Sequence, residues 1–341
     1  MADRPSSPAR LADVAARAGV SPATASRALN RPDLVSDGTR EAVIAAVAAT
    51  GYRVHHAARN LRRQRTGMVL ALVPNLGNPF FSRIVAALAG GLAPAATGLL
   101  VADTRTESGR LAAIEPHLNP TRADGIVLFD GAVPAAGLAG EAAGMPLLMA
   151  CEWVEGAPAL PSVTVQNADG ARQAIAHLAG LGHRRVLLVE GPPDNVLTVA
   201  RRAGAEAGAA ATGVVLDVMP GDFGLDAGAR AGRAWLARPG PERPTAVYAF
   251  SDMMACGFLA EVQRAGVPVP GAVSVIGFDD IEIAPHLLPA LTTIHQPRDR
   301  IGRCAAETIL SLIAGGEAGQ RVLPVRLVVR ASTGRAPKDA R

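Results

Sequence analysis

The sequence predicts a small all-helical head, built as a helix-turn-helix, followed by a larger α/β core of two lobes with two doubly wound parallel sheets. Three observations support this fold class. They are a helix-turn-helix pattern near the amino terminus, an excess of positive charge in the same region, and an alternation of apolar runs with helix-length segments from residue 67 onward. With 341 residues and 49% hydrophobic content, the chain is long enough for two or three domains with their own cores.

The helix-turn-helix pattern lies in residues 11–30, which read LADVAARAGVSPATASRALN. Val14, Ala15 and Ala18 fall on one face of a first helix, where small side chains let a second helix approach closely. Gly19 then supplies the positive φ that a tight turn requires. This pattern predicts a first helix and a sharp turn after it.

A second helix is predicted to begin after Ser21, a good N-cap residue, with Pro22 at the first helical position, where a missing N–H costs nothing. Its outer face carries short polar groups and one arginine that fit a major groove. We therefore expect this face to read DNA, although an ordinary helical hairpin is the alternative for these twenty residues alone. The outer face consists of Pro22, Ala23, Thr24, Ser26, Arg27 and Asn30.

The positive charge of the chain is concentrated at the same end. Residues 1–66 contain 11 arginines and five acidic residues, whereas the rest of the chain contains 23 basic and 25 acidic residues. A basic head on a nearly neutral body is typical of a protein that contacts phosphates, and its affinity for DNA should fall steeply as salt rises.

Two further segments complete the head. Residues 39–49 predict a third amphipathic helix, which ends at Gly51 and closes a small core. Residues 52–66 place five arginines around one large apolar residue, Leu61. If this segment folds on DNA, Leu61 would wedge between base pairs in the minor groove while the arginines reach phosphates. A flexible charged linker is the alternative interpretation.

Nine apolar runs after residue 67 predict buried strands, and most neighbouring runs are separated by a segment of helix length. This alternation indicates two successive parallel sheets with a cleft between two lobes. Ligands of open α/β sheets bind beyond the carboxyl ends of the strands, so residues that follow these runs are candidates for a binding site. The runs are Met68 to Val73, Leu99 to Ala102, Gly125 to Phe129, Leu147 to Ala150, Val163 to Val165, Val186 to Val189, Val214 to Met219, Ala246 to Phe250 and Val273 to Phe278.

The sequence contains no GxSxG, P-loop, CxxC or HExxH pattern, and its seven histidines show no metal-ligand spacing. We therefore expect no enzymatic activity, no cofactor and no metal site. The cysteines Cys151, Cys256 and Cys304 are far apart, which favours buried, reduced thiols. Because no apolar run approaches the roughly 20 residues of a membrane span and no signal-peptide core precedes the head, we expect a cytoplasmic protein without a membrane partner.

Several short motifs follow one another along the chain in an order and spacing that are highly specific together, although each is weak alone. They are LADVAARAGVS, T-x-S-R-x-L-N at residues 24–30, GY at residues 51–52, VPNLGNPFF, ADGIVLF, HLAGLGHRRV, RRAG, VPVPGAVSVIGFDD, PALTTIHQP and LVVRASTG. On these motifs the chain resembles the LacI/galactose-repressor family of bacterial transcription regulators over nearly its whole length. The resemblance implies a helix-turn-helix head without a wing, a hinge helix, and a core similar to periplasmic sugar-binding proteins.

The resemblance also implies roles for individual residues of the head and hinge. Pro22 and Ala23 would start the recognition helix and vary with the operator sequence, and Arg27 would read base edges. Leu61 would be the intercalating hinge leucine, with Ala58 and Arg62 beside it. The remaining family positions mainly orient the helix on DNA. They correspond to Ser21, Thr24, Ser26 and Asn30.

For the cleft, the resemblance implies that a small-molecule effector is bound by a set of aromatic and charged residues. Aromatic rings offer an apolar face to a sugar ring, arginine donates in a forked pattern and aspartate accepts from paired hydroxyls, which favours a sugar or a similar polar metabolite. Packing in the core is the alternative role for each phenylalanine. The implied effector contacts are Phe80, Phe81, Arg201, Phe223 and Asp279.

The sequence departs from the family's pattern at Val54, where proline is common, and at Ala25, where valine is usual. In the cleft, Gln166 replaces a frequent aspartate and Ser251 replaces a frequent asparagine. The ligand's polar contacts therefore do not follow from any relative. Two aspartates are open to two interpretations, as helix caps or as ligand contacts. They are Asp252 and Asp280.

These observations predict a DNA-binding domain in residues 1–51, a hinge helix or linker in residues 52–66, and a two-lobed core for effector binding and dimerisation in residues 67–341. We expect a homodimer without the tetramer-forming coiled coil of some relatives, because the seven residues after Gly334 contain no heptads. It would repress by binding a pseudo-palindromic operator in double-stranded DNA, under allosteric control by the effector. A secreted solute-binding protein would lack the basic head, whereas a DNA-binding scaffold that has lost effector binding is an open alternative.

Overall fold

The computed structural model describes residues 9–52, 65–105, 121–133, 144–154, 156–157 and 159–337, apart from the side chains of Asn30 and Pro32. The chain divides into two compact units, Met1–Gln64 and Arg65–Arg341. The first unit holds the helical head, and the second holds the α/β core. Most of the predicted hinge, residues 52–66, lies outside the described residues, so its helix stays a prediction.

The described head folds into three helices, as the sequence predicted. They are α1 (Leu11–Ala18), α2 (Pro22–Asn30) and α3 (Asp37–Thr50). Gly19 adopts the left-handed conformation after α1, with φ of +68°, and Gly51 does so after α3, with φ of +64°. Small side chains dominate the buried core, which lets the helices approach closely. The fully buried ones are Val14, Ala15, Ala25, Ala28, Val43 and Ala46.

Twelve strands in the described part of the core form two six-stranded sheets. Their bounds are β1 (Met68–Val73), β2 (Gly98–Asp103), β3 (Gly125–Leu128), β4 (Leu147–Ala150), β5 (Ser162–Val165), β6 (Arg185–Val189), β7 (Val215–Met219), β8 (Ala246–Ala249), β9 (Ser274–Asp279), β10 (Thr292–His295), β11 (Gln320–Leu323) and β12 (Arg326–Val328).

The first sheet has the order β11, β5, β4, β3, β1, β2, and its strand pairs are all parallel. The second sheet has the order β12, β10, β9, β8, β6, β7 and is parallel except where β12 pairs with β10. The chain leaves the first sheet after β5, returns to it at β11 and crosses again to β12. We call the parts built around these sheets the first lobe and the second lobe.

Helices cover the sheets and complete the doubly wound architecture. Helix α4 packs against α9 in the first lobe, whereas α5 packs against α6 and α7 against α8 in the second. Gly204 permits one of these close approaches, since a Cβ atom there would lie 2.0 Å from the Ala168 carbonyl oxygen. The helices are α4 (Pro79–Leu92), α5 (Asn167–Gly180), α6 (Val196–Thr212), α7 (Leu225–Ala237), α8 (Asp252–Arg264) and α9 (Arg298–Ile313).

All nine predicted strands are present, and each end lies at the predicted residue or one residue away. The sequence prediction missed β10, β11 and β12. These strands have three or four residues each, and the first three residues of β11 are exposed, so they form no apolar run. None of the helices that the structure describes combines the length and the apolar character that a membrane-spanning segment requires.

Candidate functional site

The predicted DNA-reading helix is α2, and its first turn is fixed by a side-chain cap. The Ser21 hydroxyl accepts a hydrogen bond from the Thr24 backbone N–H at 3.1 Å and lies 2.9 Å from the Thr24 hydroxyl. Pro22 occupies the first helical position, as predicted. The cap therefore determines where the helix begins and which residues face outward.

The packing of α2 divides it into an inner and an outer face. Ala25 and Ala28 are buried against the other head helices, whereas Ser21, Pro22, Ala23 and Arg27 are exposed. Thr24 and Ser26 are half-buried, and Asn30 is the last residue of the helix. The hinge residues Ala58, Leu61 and Arg62 lie outside the described residues, so their role stays a prediction.

The second candidate site is a cavity of about 280 Å³ between the two lobes of the core. It lies at the carboxyl ends of strands from both sheets, where ligands of such folds bind. The structure brings the five predicted effector residues together in its wall, Phe80 and Phe81 from the first lobe and Arg201, Phe223 and Asp279 from the second. Their contact with an effector stays a prediction.

Phe80 and Phe81 lie in the first turn of α4, whose N-cap is Asn78. The Asn78 side chain accepts a hydrogen bond from the Phe80 N–H at 3.0 Å. The two rings meet edge to face, with centroids 5.0 Å apart, and Phe81 also meets Phe129 at 6.0 Å. Both side chains therefore serve in core packing and in the cavity wall.

Arg201 lies on α6 with only 2% of its surface exposed. Its Nε donates to the Asn167 side-chain oxygen at 3.0 Å, and one terminal nitrogen donates to the Phe250 carbonyl oxygen. Burial lowers the pKa of this guanidinium, and the Asp279 carboxylate opposes that effect. Two nitrogens of the Arg201 guanidinium, which the sequence assigned to a ligand, are thus already hydrogen-bonded within the protein.

Three residues of the cavity wall have a backbone conformation that favours glycine. Cys151, Phe223 and Asp279 have φ values of +68°, +64° and +125°. Such conformations cost free energy and occur mainly at functional sites, where the surrounding structure holds them. The Phe223 ring packs on Gly191, where a Cβ atom would lie 2.1 Å from the ring.

The Asp279 carboxyl accepts a hydrogen bond from the Gln296 side chain at 2.8 Å. Burial raises its pKa, and the positive charge of Arg201 opposes the shift. With one hydrogen bond from Gln296, the carboxyl group retains capacity to accept further hydrogen bonds.

Neither Asp252 nor Asp280 is the N-cap of a described helix, and neither lies in the described wall of the cavity, so a ligand contact by either one stays a prediction. The N-cap of α8 is Ser251, whose hydroxyl accepts from the Met254 N–H at 3.2 Å. Asp252 instead accepts from the Ile281 N–H at 2.9 Å and the Thr293 hydroxyl at 2.5 Å.

Asp280 pairs with His295 at 2.8 Å and with Arg330 at 2.6 Å. Although burial opposes its charge, the hydrogen bonds from these two residues lower the pKa of Asp280 to about 2. Both aspartates are therefore engaged by groups of the second lobe itself.

Sequence reasoning missed further polar residues of the cavity wall. Asp130 and Glu152 follow β3 and β4, and Asn195 precedes α6. The position of Asp130 and Glu152 just after buried strands could have marked them as candidates. The sequence does not show, however, whether their side chains face the cavity. Asp130 accepts hydrogen bonds from the Thr104 hydroxyl at 2.6 Å and the Ala132 N–H at 3.1 Å.

Glu152 joins the two lobes across the cavity. One of its carboxyl oxygens accepts from the Gly131 N–H at 2.7 Å, within the first lobe, and the other accepts from the Asn195 side-chain amide at 3.1 Å, which belongs to the second. Burial raises the pKa of Glu152, and these two hydrogen bonds oppose the shift. In the part of the chain that the structure describes, groups of three or more potential metal ligands do not occur.

Comparison with known families and proteins agrees with the two-part architecture. The model described as bacterial regulatory proteins, lacI family, matches residues 10–55, and that of the periplasmic binding protein-like domain matches residues 175–333. The HTH-type transcriptional repressor CytR of Escherichia coli K12 is 34% identical over 337 residues, which cover 96% of this chain and 97% of CytR.

Two solved structures extend the agreement to the fold. The complex of the transcriptional regulator CelR with cellobiose is 32% identical with a TM-score of 0.72, covering 95% of this chain and 99% of that chain. The lac repressor dimer, bound to operator and the anti-inducer ONPF, is 28% identical with a TM-score of 0.84, covering 96% and 99%. These matches confirm the predicted resemblance and fold class. The chain therefore belongs to the lacI family of bacterial regulatory proteins.

Proposed function

We propose that the protein is a transcriptional repressor that binds a pseudo-palindromic operator as a homodimer and responds to a small polar effector, such as a sugar or related metabolite. The observation that carries this proposal is the combination of two features in one chain. The capped helix α2 exposes Pro22, Ala23 and Arg27, and a cavity with aromatic and polar walls lies between the lobes of the core.

Helix α2 would read the operator in the major groove. Arg27 is the exposed long donor on this helix and would contact base edges, with Pro22 and Ala23 close to the DNA at its start. Ser21, Thr24, Ser26 and Asn30 would fix the position of the helix on the phosphate backbone. Two-fold symmetry would place two such helices in successive major grooves, which explains a palindromic operator.

The segment at residues 52–66 would form the hinge, with Leu61 bending the centre of the operator and Ala58 and Arg62 beside it. The DNA-binding domain would then comprise residues 1–51 and the effector core residues 67–341.

Effector binding would couple the two sites through the lobes. Phe80 and Phe81 belong to the first lobe, whereas Arg201, Phe223 and Asp279 belong to the second, so a ligand that contacts both sets changes the angle between lobes. A coupling free energy of about 1–3 kcal/mol is typical of such allosteric pairs. The complexes of CelR with cellobiose and of the lac repressor with ONPF support a small-molecule effector. The similarity to transcriptional regulators such as CytR supports a cytoplasmic regulator without enzymatic activity.

The experiment that tests this function is selection of bound sequences from random duplex DNA by the full-length protein. We expect a pseudo-palindromic motif, which then serves as the probe for release or recruitment by candidate effectors. Failure to enrich any motif, with and without a mixture of sugars and nucleosides, would contradict the proposed operator binding. Enrichment of a single, non-repeated half-site would contradict the dimer.

A further inference from the structure

We propose that Glu152 determines the charge class of the effector. The bound molecule donates an N–H or O–H group to the Glu152 carboxyl and carries no negative charge, so that phosphorylated or carboxylated analogues are rejected. The inference rests on the proposed function, because it requires that the cavity bind an effector.

The first argument is the way in which Glu152 is held. Its side chain lines the cavity while only 6% of the residue is exposed, and the donors at 2.7 and 3.1 Å are the uncharged groups of Gly131 and Asn195. A carboxyl group has about four acceptor positions, so two hydrogen bonds leave capacity for a donor from the ligand. A buried carboxyl held only by neutral donors favours a ligand that supplies a proton donor or a positive charge.

The second argument is that the surrounding backbone is shaped to present this carboxyl. A Cβ atom at position 131 would lie 2.4 Å from the Trp153 carbonyl oxygen and 3.0 Å from a Glu152 carboxyl oxygen, so glycine is required there. On the opposite wall, the Asn195 side-chain oxygen accepts from the Leu197 N–H at 2.8 Å as the N-cap of α6. That bond directs the Asn195 amide nitrogen toward Glu152.

The third argument is the balance of charge around the cavity. Its described wall carries two arginines, Arg105 and Arg201, and the second is engaged by Asn167 and the Phe250 carbonyl. The wall therefore disfavours a phosphate or carboxylate group on the ligand, because the acidic side chains outnumber the arginines even with Asp222 paired to Arg230 at 3.2 Å. The acidic side chains are Asp130, Glu152, Asp194, Asp222 and Asp279.

The test compares neutral, cationic and anionic forms of the same molecules by thermal shift and calorimetry with the full-length protein. The probes are glucose, glucosamine and glucose 6-phosphate, ribose and ribose 5-phosphate, cellobiose and cellobionate, and adenosine and cytidine with their 5′-monophosphates. We expect each probe that raises the Tm to be neutral or cationic, and its anionic analogue to bind about 100-fold or more weakly because like charges face each other.

The variant Glu152→Gln keeps the size of the side chain and removes its charge, so it should reduce this discrimination at least about tenfold. Glu317→Gln removes the same charge from an exposed loop and serves as the matched control, with unchanged discrimination. If Glu152→Gln does not fold, Asn195→Asp provides a second test. Aspartate preserves the N-cap and adds a carboxylate opposite Glu152, so this variant should increase the discrimination against anionic probes.

Binding of an anionic probe as tightly as its neutral analogue would overturn the inference, as would unchanged discrimination in a folded Glu152→Gln protein. Neither result would contradict the proposal that the cavity binds an effector. Absence of binding by every probe would instead contradict the proposed effector function, and the inference would fall with it.

Discussion

The guanidinium carbon of Arg201 lies 3.7 Å from the centre of the Phe278 ring, so a buried cation stacks on an aromatic face. The same guanidinium donates to Asn167 and to the Phe250 carbonyl oxygen, which lie at the start of α5 and just after β8. One side chain therefore connects α5, α6 and the ends of two central strands. This arrangement gives Arg201 a structural role in addition to its place in the cavity wall.

Arg201→Ala should destabilise the core as well as weaken effector binding. Truncation leaves the Asn167 side-chain oxygen and the Phe250 carbonyl oxygen without these donors, and it opens space above Phe278. Loss of one partner from a buried charged network costs about 3–5 kcal/mol. Urea unfolding of the variant and the wild type measures this difference in the free energy of unfolding.

The control for Arg201 is Arg172→Ala on the neighbouring helix α5. Arg172 pairs with Asp169 at 2.5 Å, but its side chain is 56% exposed, so its removal should cost about 0.5 kcal/mol or less. Equal costs for the two variants would show that the Arg201 network contributes little to folding.

The pH dependence of stability should reveal the buried Asp252. Burial raises its pKa, and the nearby Asp279 raises it further. The folded state therefore favours the neutral form of Asp252. The contribution of Asp252 to the free energy of unfolding is complete below the ordinary aspartate pKa of about 4, and it is lost as pH rises through the raised pKa. Asp252 should therefore lower the stability of the protein between pH 5 and pH 8.

Asp252→Asn tests this assignment because an amide oxygen accepts from the Ile281 N–H and an amide nitrogen donates to the Thr293 hydroxyl. Relative to the wild type, the variant should gain stability from pH 5 to pH 8, by at most about 1.4 kcal/mol per pH unit. Asp217→Asn is the control: although burial opposes its charge, hydrogen bonds from Arg185 and Arg238 lower the pKa of Asp217, so its own titration is confined to acidic pH. If the two proteins differ in their free energy of unfolding by the same amount from pH 5 to pH 8, the pKa of Asp252 is not raised.

The sequence predicted those parts of the fold that depend on local pattern. Strand β1 was predicted with its observed bounds because all six residues from Met68 to Val73 are apolar, and α2 because Ser21 and Pro22 provide a cap and a start. Strand β12 was not predicted because its three residues pair only through long-range contacts with β10. Such pairing is determined by the tertiary structure rather than by neighbouring residues.

The candidate cavity was predictable in its position but not in its chemistry. Asp279, which the family resemblance named, lies at the end of β9, in agreement with the rule that sites follow buried strands. The hydrogen bond between Glu152 and Asn195 joins residues 43 positions apart on different lobes, and no local pattern encodes such a pair. The engagement of Arg201 within the protein was likewise invisible, because a sequence does not show which donors are already satisfied.

Ser21→Ala should destabilise the head by about 0.5–2 kcal/mol because it removes the N-cap hydrogen bond to the Thr24 N–H. Hydrogen exchange of the α2 amides in the full-length protein measures the loss. Ser36 is a matched control, since it stands at the N-cap of α3 without a side-chain cap bond. Ser36→Ala should therefore change the exchange of the α3 amides less. If the two serine variants behave alike, the cap at Ser21 does not determine the stability of α2.

Arg27→Ala should reduce sequence preference at one operator position by about 1–3 kcal/mol, because Arg27 is exposed on α2 and would donate to a base edge. Arg63→Ala, in the basic segment after the head, should instead weaken binding to all DNA and reduce the salt dependence of binding. Fluorescence anisotropy with matched and single-mismatch operators at several salt concentrations separates these effects. Equal losses on matched and mismatched DNA in the Arg27→Ala protein would mean that Arg27 contacts phosphates, and base reading would then have to come from other residues at the start of α2.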